Sequence, residues 1–555
     1  MEKPWLKEFE ADLAKWRPLW ERHYDEGVPK KFEYPDFPLK YWFNKWAEET
    51  PDKPYILMGE NVSISYRDAN NLARRIANAL LDLGIKKGDR VAIMAPNVPQ
   101  YVLSLQALFK IGAIEVPTNP LYTIPELALQ FKDSGTETVI VMAAFADKAI
   151  EIMKDPESPV KRVIAFQIAS APVEIPPGEG IYDFNQLAMA ASDVEPDIEV
   201  FADDVARLQY TGGTTGVPKG CVLTNAIIFS QANRTATWTS GGFKLIPKEE
   251  MRTLCAIPLN HIYGFNANVN ICLFTGGTIV LVALPTPDNL LEAIERHRPN
   301  LFASVPAMII GLNNHPKISG ADITSLKGIF CGSAPLAVEV MNEFERLTGG
   351  RILEGYGMSE TVNILTVNPV FTIRKPGSCG IVWPDTDLVV VDVDTGTQVI
   401  PRNELGELIG RGPQIMREYW NNPEETDNVL RDGWLYTGDI VRIDEDGFVF
   451  IVDRKKDMIL CSGFNVYPRD IDEVLYAHPK IMEACTVGVA DPKRGETAKA
   501  FVVVKPDEEM TVEEVIEHCR KSLAPYKVPT LVEFISEIPR TSVGKPDRKV
   551  LKAKG

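Results

Sequence analysis

Short apolar runs alternate with amphipathic stretches along much of this chain, the pattern of helices packed on a mostly parallel sheet. Arg90 to Met94 reads as a buried strand, followed by a helix near Tyr101 to Ile111, a short strand near Ile114, a helix near Pro125 to Asp133 and a strand at Glu137 to Met142. Ahead of them, from about Ile56, Ser65-x-x-Asp68 looks like a capping box; Leu72, Ile76, Leu80 and Leu83 fall on one helical face, and Gly84 supplies the C′ position. An acidic linker around Ser192 to Asp204 precedes a second half, in which the alternation resumes from Thr253 to Phe330. Beyond Gly377 the pattern turns to β: Leu388 to Val393 and Thr397 to Ile400 flank Asp394-Thr395-Gly396, and Ile440 to Ile443 and Phe448 to Val452 flank a turn at Asp446-Gly447. After Lys456 comes a compact α+β tail with strands near Cys485 to Val489 and Ala500 to Val504, its helix opened by a capping box at Thr511-x-x-Glu514. The fold class is therefore α/β, with a β-rich subdomain and a small α+β end.

Composition narrows the functional classes. A chain of 555 residues has material for roughly three to four domain-sized units. Its 59 basic and 76 acidic side chains give a net charge of -17, which argues against broad adhesion to nucleic acid or an anionic membrane. The eight cysteines are widely spaced, with no Cys-x-x-Cys pair and no nearby histidine set, so they are expected to be reduced and free of metal in a cytoplasmic protein. The N-terminus lacks the apolar core of a signal peptide. The most apolar segment, Val269 to Leu284, is too short and too interrupted to span a bilayer. Peripheral membrane contact and the choice between monomer and homodimer stay open, and residues 1–50 suggest no role beyond packing across the surface.

Tyr210 to Gly220 carries four glycines, three threonines and one lysine, a loop of backbone donors, hydroxyls and one cation suited to a polyphosphate. It is not a Walker A loop, because Pro218 precedes Lys219 and Gly220 follows it. Four further stretches supply other parts that nucleotide chemistry needs. Glu354-Gly-Tyr-Gly-Met-Ser-Glu360 offers an aromatic face for a base, a hydroxyl and a carboxylate for phosphate and Mg²⁺; Trp434-Leu-Tyr-Thr-Gly-Asp439 offers a carboxylate for ribose hydroxyls. Asp453-Arg-Lys-Lys-Asp457 follows closely, and Pro539-Arg-Thr-Ser-Val-Gly-Lys545 sets a lysine on a glycine turn. Singly, each also reads as an ordinary core aromatic, turn or solvated charge cluster.

In this order, the five stretches resemble the AMP-forming acyl-CoA synthetases of the adenylate-forming superfamily, which also holds firefly luciferase and peptide-synthetase adenylation domains. The resemblance runs from about Pro51 to Lys554. Asp432-Gly-Trp-x-x-Thr-Gly-Asp439 and Asp453-Arg-Lys-Lys-Asp-Met-Ile-Leu-x-Ser-Gly-Phe-Asn-Val-Tyr-Pro468 look most like the fatty acyl-CoA synthetases. The resemblance implies a large N-terminal domain over residues 1–455, holding the nucleotide and acyl sites, and a small mobile domain over 456–555.

Carried over residue by residue, the resemblance makes Thr211, Gly212, Gly213, Thr214, Thr215, Gly216 and Lys219 the β,γ-phosphate loop. Gly332, Ser333, Ala334 and Pro335, with Glu354, Gly355, Tyr356, Gly357 and Met358, would frame the adenine. Ser359 stands where most members have threonine and keeps the hydroxyl for the α-phosphate. Glu360 and Thr215 would hold Mg²⁺, Asp439 and Arg454 the ribose, and Lys456 the hinge. Ser462, Gly463 and Phe464 would meet the pantetheine of coenzyme A. Lys545 would reach the α-phosphate and carboxylate, and His261 would position the acid. The implied cofactors are ATP, Mg²⁺ and coenzyme A, and the remaining partner is a small carboxylic acid.

The implied acyl-pocket stretches, His261 to Phe274, Ala303 to Leu312 and Gly328 to Leu336, contain no Asp, Glu, Lys or Arg. A charged acyl tail would be left unpaired there, so an uncharged acid is expected. Phe265 aligns with an aromatic gate of some long-chain enzymes, whereas Asn266, Asn268 and Asn270 equally suit a hydroxylated or aromatic acid. Other readings are an acyl-AMP ligase loading a carrier protein, a luciferase-like oxidation and a non-enzymatic nucleotide-binding protein; the last is opposed by the full set of charged groups. A basic cluster, Arg540, Lys545, Arg548, Lys549, Lys552 and Lys554, closes the chain.

Overall fold

The computed structural model describes residues 3–168, 172–211, 219–334, 336–461, 464–506, 508–540 and 546–554. Its first sheet has seven strands, in the order Ile181–Asp183, Arg162–Phe166, Thr138–Met142, Arg90–Met94, Ile114–Thr118, Val205–Tyr210 and Gly220–Thr224. All neighbours are parallel except the last pair. The strands read from sequence between Arg90 and Met142 are there, with the helices Pro99–Ile111 and Ile124–Ser134 between them. The last two strands form an antiparallel hairpin with Tyr210 opposite Gly220, and the Thr211 amide donates to the Lys219 carbonyl at 2.9 Å. Thr211 and Lys219, the described ends of the glycine-rich stretch, are therefore joined at an edge of the first sheet.

A second sheet of nine strands has a parallel centre, Arg351–Tyr356, Gly328–Cys331, Leu301–Ser304, Arg252–Cys255, Thr278–Leu281 and Pro54–Met58. Ile56 thus opens the alternation in sequence yet pairs with Ile279 in the second sheet. Helix Tyr66–Asp82 follows, its Asp68 amide capped by the Ser65 side chain. Its buried face is Tyr66, Ala69, Ala73, Ile76, Ala77 and Leu80, while Leu72 is exposed, so the expected face is rotated toward the small residues.

The β-rich unit is a five-stranded sheet in which Trp434–Ile443 pairs with Val449–Arg454 around the expected turn. The expected strand at Thr397 to Ile400 is reduced to a single bridge, Val391 to Val399; the partner of Asp387–Val391 is Gly406–Arg411. The first residues do more than cross the surface. Helix Pro4–Arg22 buries Phe9, Leu13 and Trp20 in the core of this unit, edge-on to Trp434 and with the Trp20 indole N–H donating to the Gly447 carbonyl. Helix Leu39–Glu49 buries Leu39, Trp42 and Phe43 in a core shared by the first and second sheets.

The C-terminal unit has a five-stranded sheet of its own, led by the antiparallel pair Ile481–Asp491 and Gly495–Val504. Helices Pro468–Tyr476 and Val512–Arg520 cover it, the second opened by the Thr511 and Glu514 capping box. Ile459, Ile471, Leu475, Val502 and Val515 form a separate apolar cluster there. Among the described residues, no helix is long and apolar enough to cross a membrane.

Candidate active site

The register of the Trp434–Ile443 and Val449–Arg454 hairpin sets Asp439 directly opposite Arg454. Arg454 Nε lies 3.3 Å from Asp439 Oδ1, and the Tyr356 hydroxyl donates to Oδ2 of the same carboxylate. Asp439 is buried and Arg454 half exposed, so the pair has one end in protein and one in solvent. Burial, then the Asp439 carboxylate, push the Tyr356 phenol up, which keeps it a donor. Tyr356 ends strand Arg351–Tyr356, and the chain behind it is tight: a Cβ on Gly357 would sit 1.8 Å from the Asn363 carbonyl oxygen. Ser333, Val362 and Asn363 adopt left-handed φ of 73°, 45° and 86°, a cost of about 1–3 kcal/mol each. Strained backbone thus falls within one stretch expected to frame a nucleotide, at Ser333, and just beyond the other, at Val362 and Asn363.

Glu360 follows that strand, buried, and accepts a 2.6 Å hydrogen bond from the Tyr419 hydroxyl. The Tyr419 ring lies 5.3 Å from the Lys219 ammonium, and Lys219 is ion-paired with Glu425. Tyr419 and Glu425 lie some two hundred residues beyond the loop, and no local motif marked them. Glu354, read as a nucleotide contact, accepts from the backbone amides of Leu336 and Gly377, both at 3.3 Å. Burial raises its carboxyl against those hydrogen bonds.

The three acyl-pocket stretches converge on one hydroxyl. Tyr263 Oη lies 3.1 Å from the Ser304 carbonyl and 3.2 Å from that of Phe330, and accepts from the Ser304 amide. His261 begins this segment, half-buried, with Nδ1 accepting from the Tyr263 amide at 3.2 Å. Phe265 to Asn270 form a π-helical turn, a geometry frequent at functional sites. The Asn266, Asn268 and Asn270 amide groups donate to Thr235, Gly264 and Ile228, leaving Oδ1 of Asn268 and Asn270 without a partner among the described residues. A charge does reach this region from outside the three stretches. The Arg207 guanidinium lies 4.5 Å from the Phe265 ring centroid, but Glu115 neutralises it at 2.5 Å, both side chains being fully buried.

In the C-terminal unit, Phe464 is exposed and stacks on Tyr526 with centroids 4.6 Å apart. Lys456 is exposed beside Lys455, whose amide donates to the Gly438 carbonyl. Within the basic cluster, Arg548 pairs with Asp472 at 2.9 Å and donates to the Thr486 carbonyl, while Arg540 pairs with Glu483. The predicted residues Gly212, Gly213, Thr214, Thr215, Gly216, Pro335, Ser462, Gly463 and Lys545 lie outside the described residues.

The family model for AMP-binding enzyme matches residues 43–420, and that for AMP-binding enzyme C-terminal domain matches residues 470–545. A long-chain-fatty-acid–CoA ligase of Bacillus subtilis (strain 168) is 38% identical over 572 aligned residues, covering 99% of this chain and 98% of its own length. The long-chain-fatty-acid–CoA ligase of Yersinia pestis is 36% identical, covering 100% of this chain and 98% of its own. Among solved structures, the anthranilate CoA ligase AuaEII in complex with anthranoyl-AMP is similar with a TM-score of 0.83 at 25% identity, covering 94% of this chain and 98% of that one.

Proposed function

This chain belongs to the AMP-binding enzymes, as an AMP-forming acyl-CoA synthetase, and on that premise we propose which of its residues carry each step. It is an acid–thiol ligase: a carboxylate and ATP give an acyl-adenylate and pyrophosphate, and the thiol of coenzyme A then takes the acyl group and releases AMP. ATP and coenzyme A are its substrates.

The single observation that carries the assignment of roles is the Asp439 carboxylate held between Arg454 and the Tyr356 hydroxyl. Anchored from both sides, it accepts from the ribose hydroxyls, while the Tyr356 ring and the strained turn at Ser333 flank the adenine. Ser359 faces the α-phosphate, and the Thr211 to Lys219 stretch holds the β- and γ-phosphates. A carboxylate approaching an α-phosphate meets anion repulsion, so the catalytic task is alignment and neutralisation; no general base is needed, because the acid is ionised at neutral pH. Lys545 supplies the cation between the two reactants, and His261 orients the acid.

Mg²⁺ is the implied metal. It takes oxygen ligands, one or two from protein carboxylates and the rest from phosphates and water. One buried carboxylate, Glu360, steadied by Tyr419, fits that demand, with Thr215 as the second protein oxygen. Among the described residues, no group of three or more His, Cys, Asp or Glu side chains could hold an ion independently of substrate. When bound, the ion would neutralise phosphate charge.

The acid is a medium- or long-chain fatty acid, uncharged beyond its carboxylate. The three stretches tied together by Tyr263 carry no Asp, Glu, Lys or Arg, Arg207 is already neutralised by Glu115, and the curated relatives named above are long-chain-fatty-acid–CoA ligases. Residues 1–455 and 456–555 act as two domains that re-orient about Lys456, so that Lys545 serves the adenylate step and Ser462, Gly463 and Phe464 the thioester step. Incubation with ATP, Mg²⁺, coenzyme A and a panel of acids tests this reading. AMP and thioester should form one for one, and kcat/KM should rise by about 0.8 kcal/mol of binding per methylene until the pocket is full. Preference for an amino acid or a dicarboxylate would contradict it.

A further inference from the structure

Lys219 is the one cation in the sequence from Tyr210 to Gly220, yet in this structure its charge is already spent. Its ammonium is paired with the Glu425 carboxylate, with 26% of the lysine and 38% of the glutamate side chain exposed. Glu425 is held in place. It lies in the first turn of helix Pro423–Val429, its amide bonded to Asn422 Oδ1 at 3.2 Å, and the next residue, Thr426, accepts from the Tyr419 amide at 3.0 Å. Tyr419 in turn lies against Lys219 and donates to Glu360. One residue therefore touches the loop cation with its ring, the carboxylate assigned to the metal with its hydroxyl, and the helix that carries Glu425 with its amide.

We propose that Glu425 is a competing anion at the polyphosphate site, a placeholder that yields Lys219 to the incoming triphosphate and reclaims it as pyrophosphate leaves. The proposal rests on the assignment of Lys219 to the β,γ-phosphates. A partly exposed ion pair contributes little net stability, so a polyphosphate with several negative charges and many acceptor oxygens displaces it readily. The displaced carboxylate stays within a few ångströms, since its helix start is fixed to Tyr419, and like charge at that distance weakens phosphate binding. Glu425 therefore lowers affinity for both ATP and pyrophosphate and speeds release of the latter.

The test is titration calorimetry of the full-length chain with magnesium pyrophosphate, comparing the parent with Glu425→Gln, Glu424→Gln and Lys219→Met, each checked for an unchanged thermal midpoint. Glu425→Gln should tighten pyrophosphate binding by roughly tenfold and sharpen product inhibition to match. Glu424→Gln, an exposed neighbour in the same turn, should stay within about twofold of the parent. Unchanged or weaker binding by folded Glu425→Gln overturns the proposal, weaker binding meaning that the glutamate merely orders the lysine. Glu425→Asp, which keeps the charge, should stay near the parent; tightening equal to that of the glutamine variant also overturns the proposal. If Lys219→Met leaves pyrophosphate affinity intact, the assignment of Lys219 itself fails. If Lys219→Met weakens it and Glu425→Gln does not tighten it, the placeholder falls and the assignment stands.

Discussion

Asp439→Asn keeps the shape of the side chain and removes its charge, which makes it a sharp test of the nucleotide site. A carboxylate accepts up to about four hydrogen bonds, enough for Tyr356, Arg454 and two ribose hydroxyls together. Hydrogen bonds to a charged group contribute about 1.5–3 kcal/mol each and neutral ones about 0.5–1.5, so two ribose contacts should lose about 2–3 kcal/mol between them. The amide also brings an N–H₂ group into a site built from donors, Arg454 Nε on one oxygen and the Tyr356 hydroxyl on the other. At about 1.4 kcal/mol per tenfold, kcat/KM for ATP should fall by about 30- to 150-fold in ATP–pyrophosphate exchange. The thioester step from preformed acyl-adenylate should weaken as well, because the adenylate carries the same ribose. The decisive comparison uses 2′-deoxy-ATP and 3′-deoxy-ATP: the parent should discriminate against both, and the variant should do so far less. Undiminished discrimination by a folded Asp439→Asn variant would refute the ribose assignment.

Other expectations concern the hinge, the N-terminal helix and acid stability. Lys456→Pro fixes φ at an exposed position, so it should spare folding yet abolish one half-reaction while leaving the other; equal loss of both would speak against a hinge there. Trp20→Ala removes a fully buried indole and its bond to Gly447, and should cost about 3–5 kcal/mol in denaturant unfolding; a loss below about 1 kcal/mol would mean that the helix is dispensable. Burial pushes Asp392 up, but the Gln398, Thr395 and Thr397 amides outweigh it and hold the carboxyl at about 2. A depressed acid contributes stability that is present above its unfolded value near 4 and lost as pH falls through about 2. The thermal midpoint of Asp392→Asn should therefore lie below the parent's at pH 5 and converge with it toward pH 2; a constant gap would contradict the assignment.

Local signals in this chain were readable and non-local ones were not. Strands such as Arg90–Met94 and Thr138–Met142 announce themselves because both faces are buried, and Ser65 and Thr511 mark helix starts through bonds to residues three positions on. Helix Pro4–Arg22 was missed although Phe9, Leu13 and Trp20 share a helical face, because Pro18 inside it reads as a breaker. Thr397 to Ile400 has strand composition, but the Asp392 carboxylate gathers the amides of Thr395, Thr397 and Gln398 into a turn instead. The nucleotide motifs stand out as residue types at fixed offsets. Their supports do not: Tyr419 against Glu360, Glu425 against Lys219 and Arg207 against Phe265 are brought together by the tertiary fold, the first two pairs across sequence separations of 59 and 206. Arg548, read only as part of a basic cluster, likewise gave no local sign of its pairing with Asp472.

The central claim is that the acid is activated as its adenylate, and the fate of carboxylate oxygen tests it most directly. A fatty acid labelled with ¹⁸O in both carboxylate oxygens is turned over with ATP, Mg²⁺ and coenzyme A, and the products are weighed by mass spectrometry. Attack of one carboxylate oxygen on the α-phosphorus makes that oxygen the bridge of the acyl-adenylate, and attack of the thiol on the carbonyl leaves it on AMP. The account predicts one ¹⁸O in each AMP, one in each thioester carbonyl and none in pyrophosphate. Unlabelled AMP, or label in a phosphate product other than AMP, would contradict it.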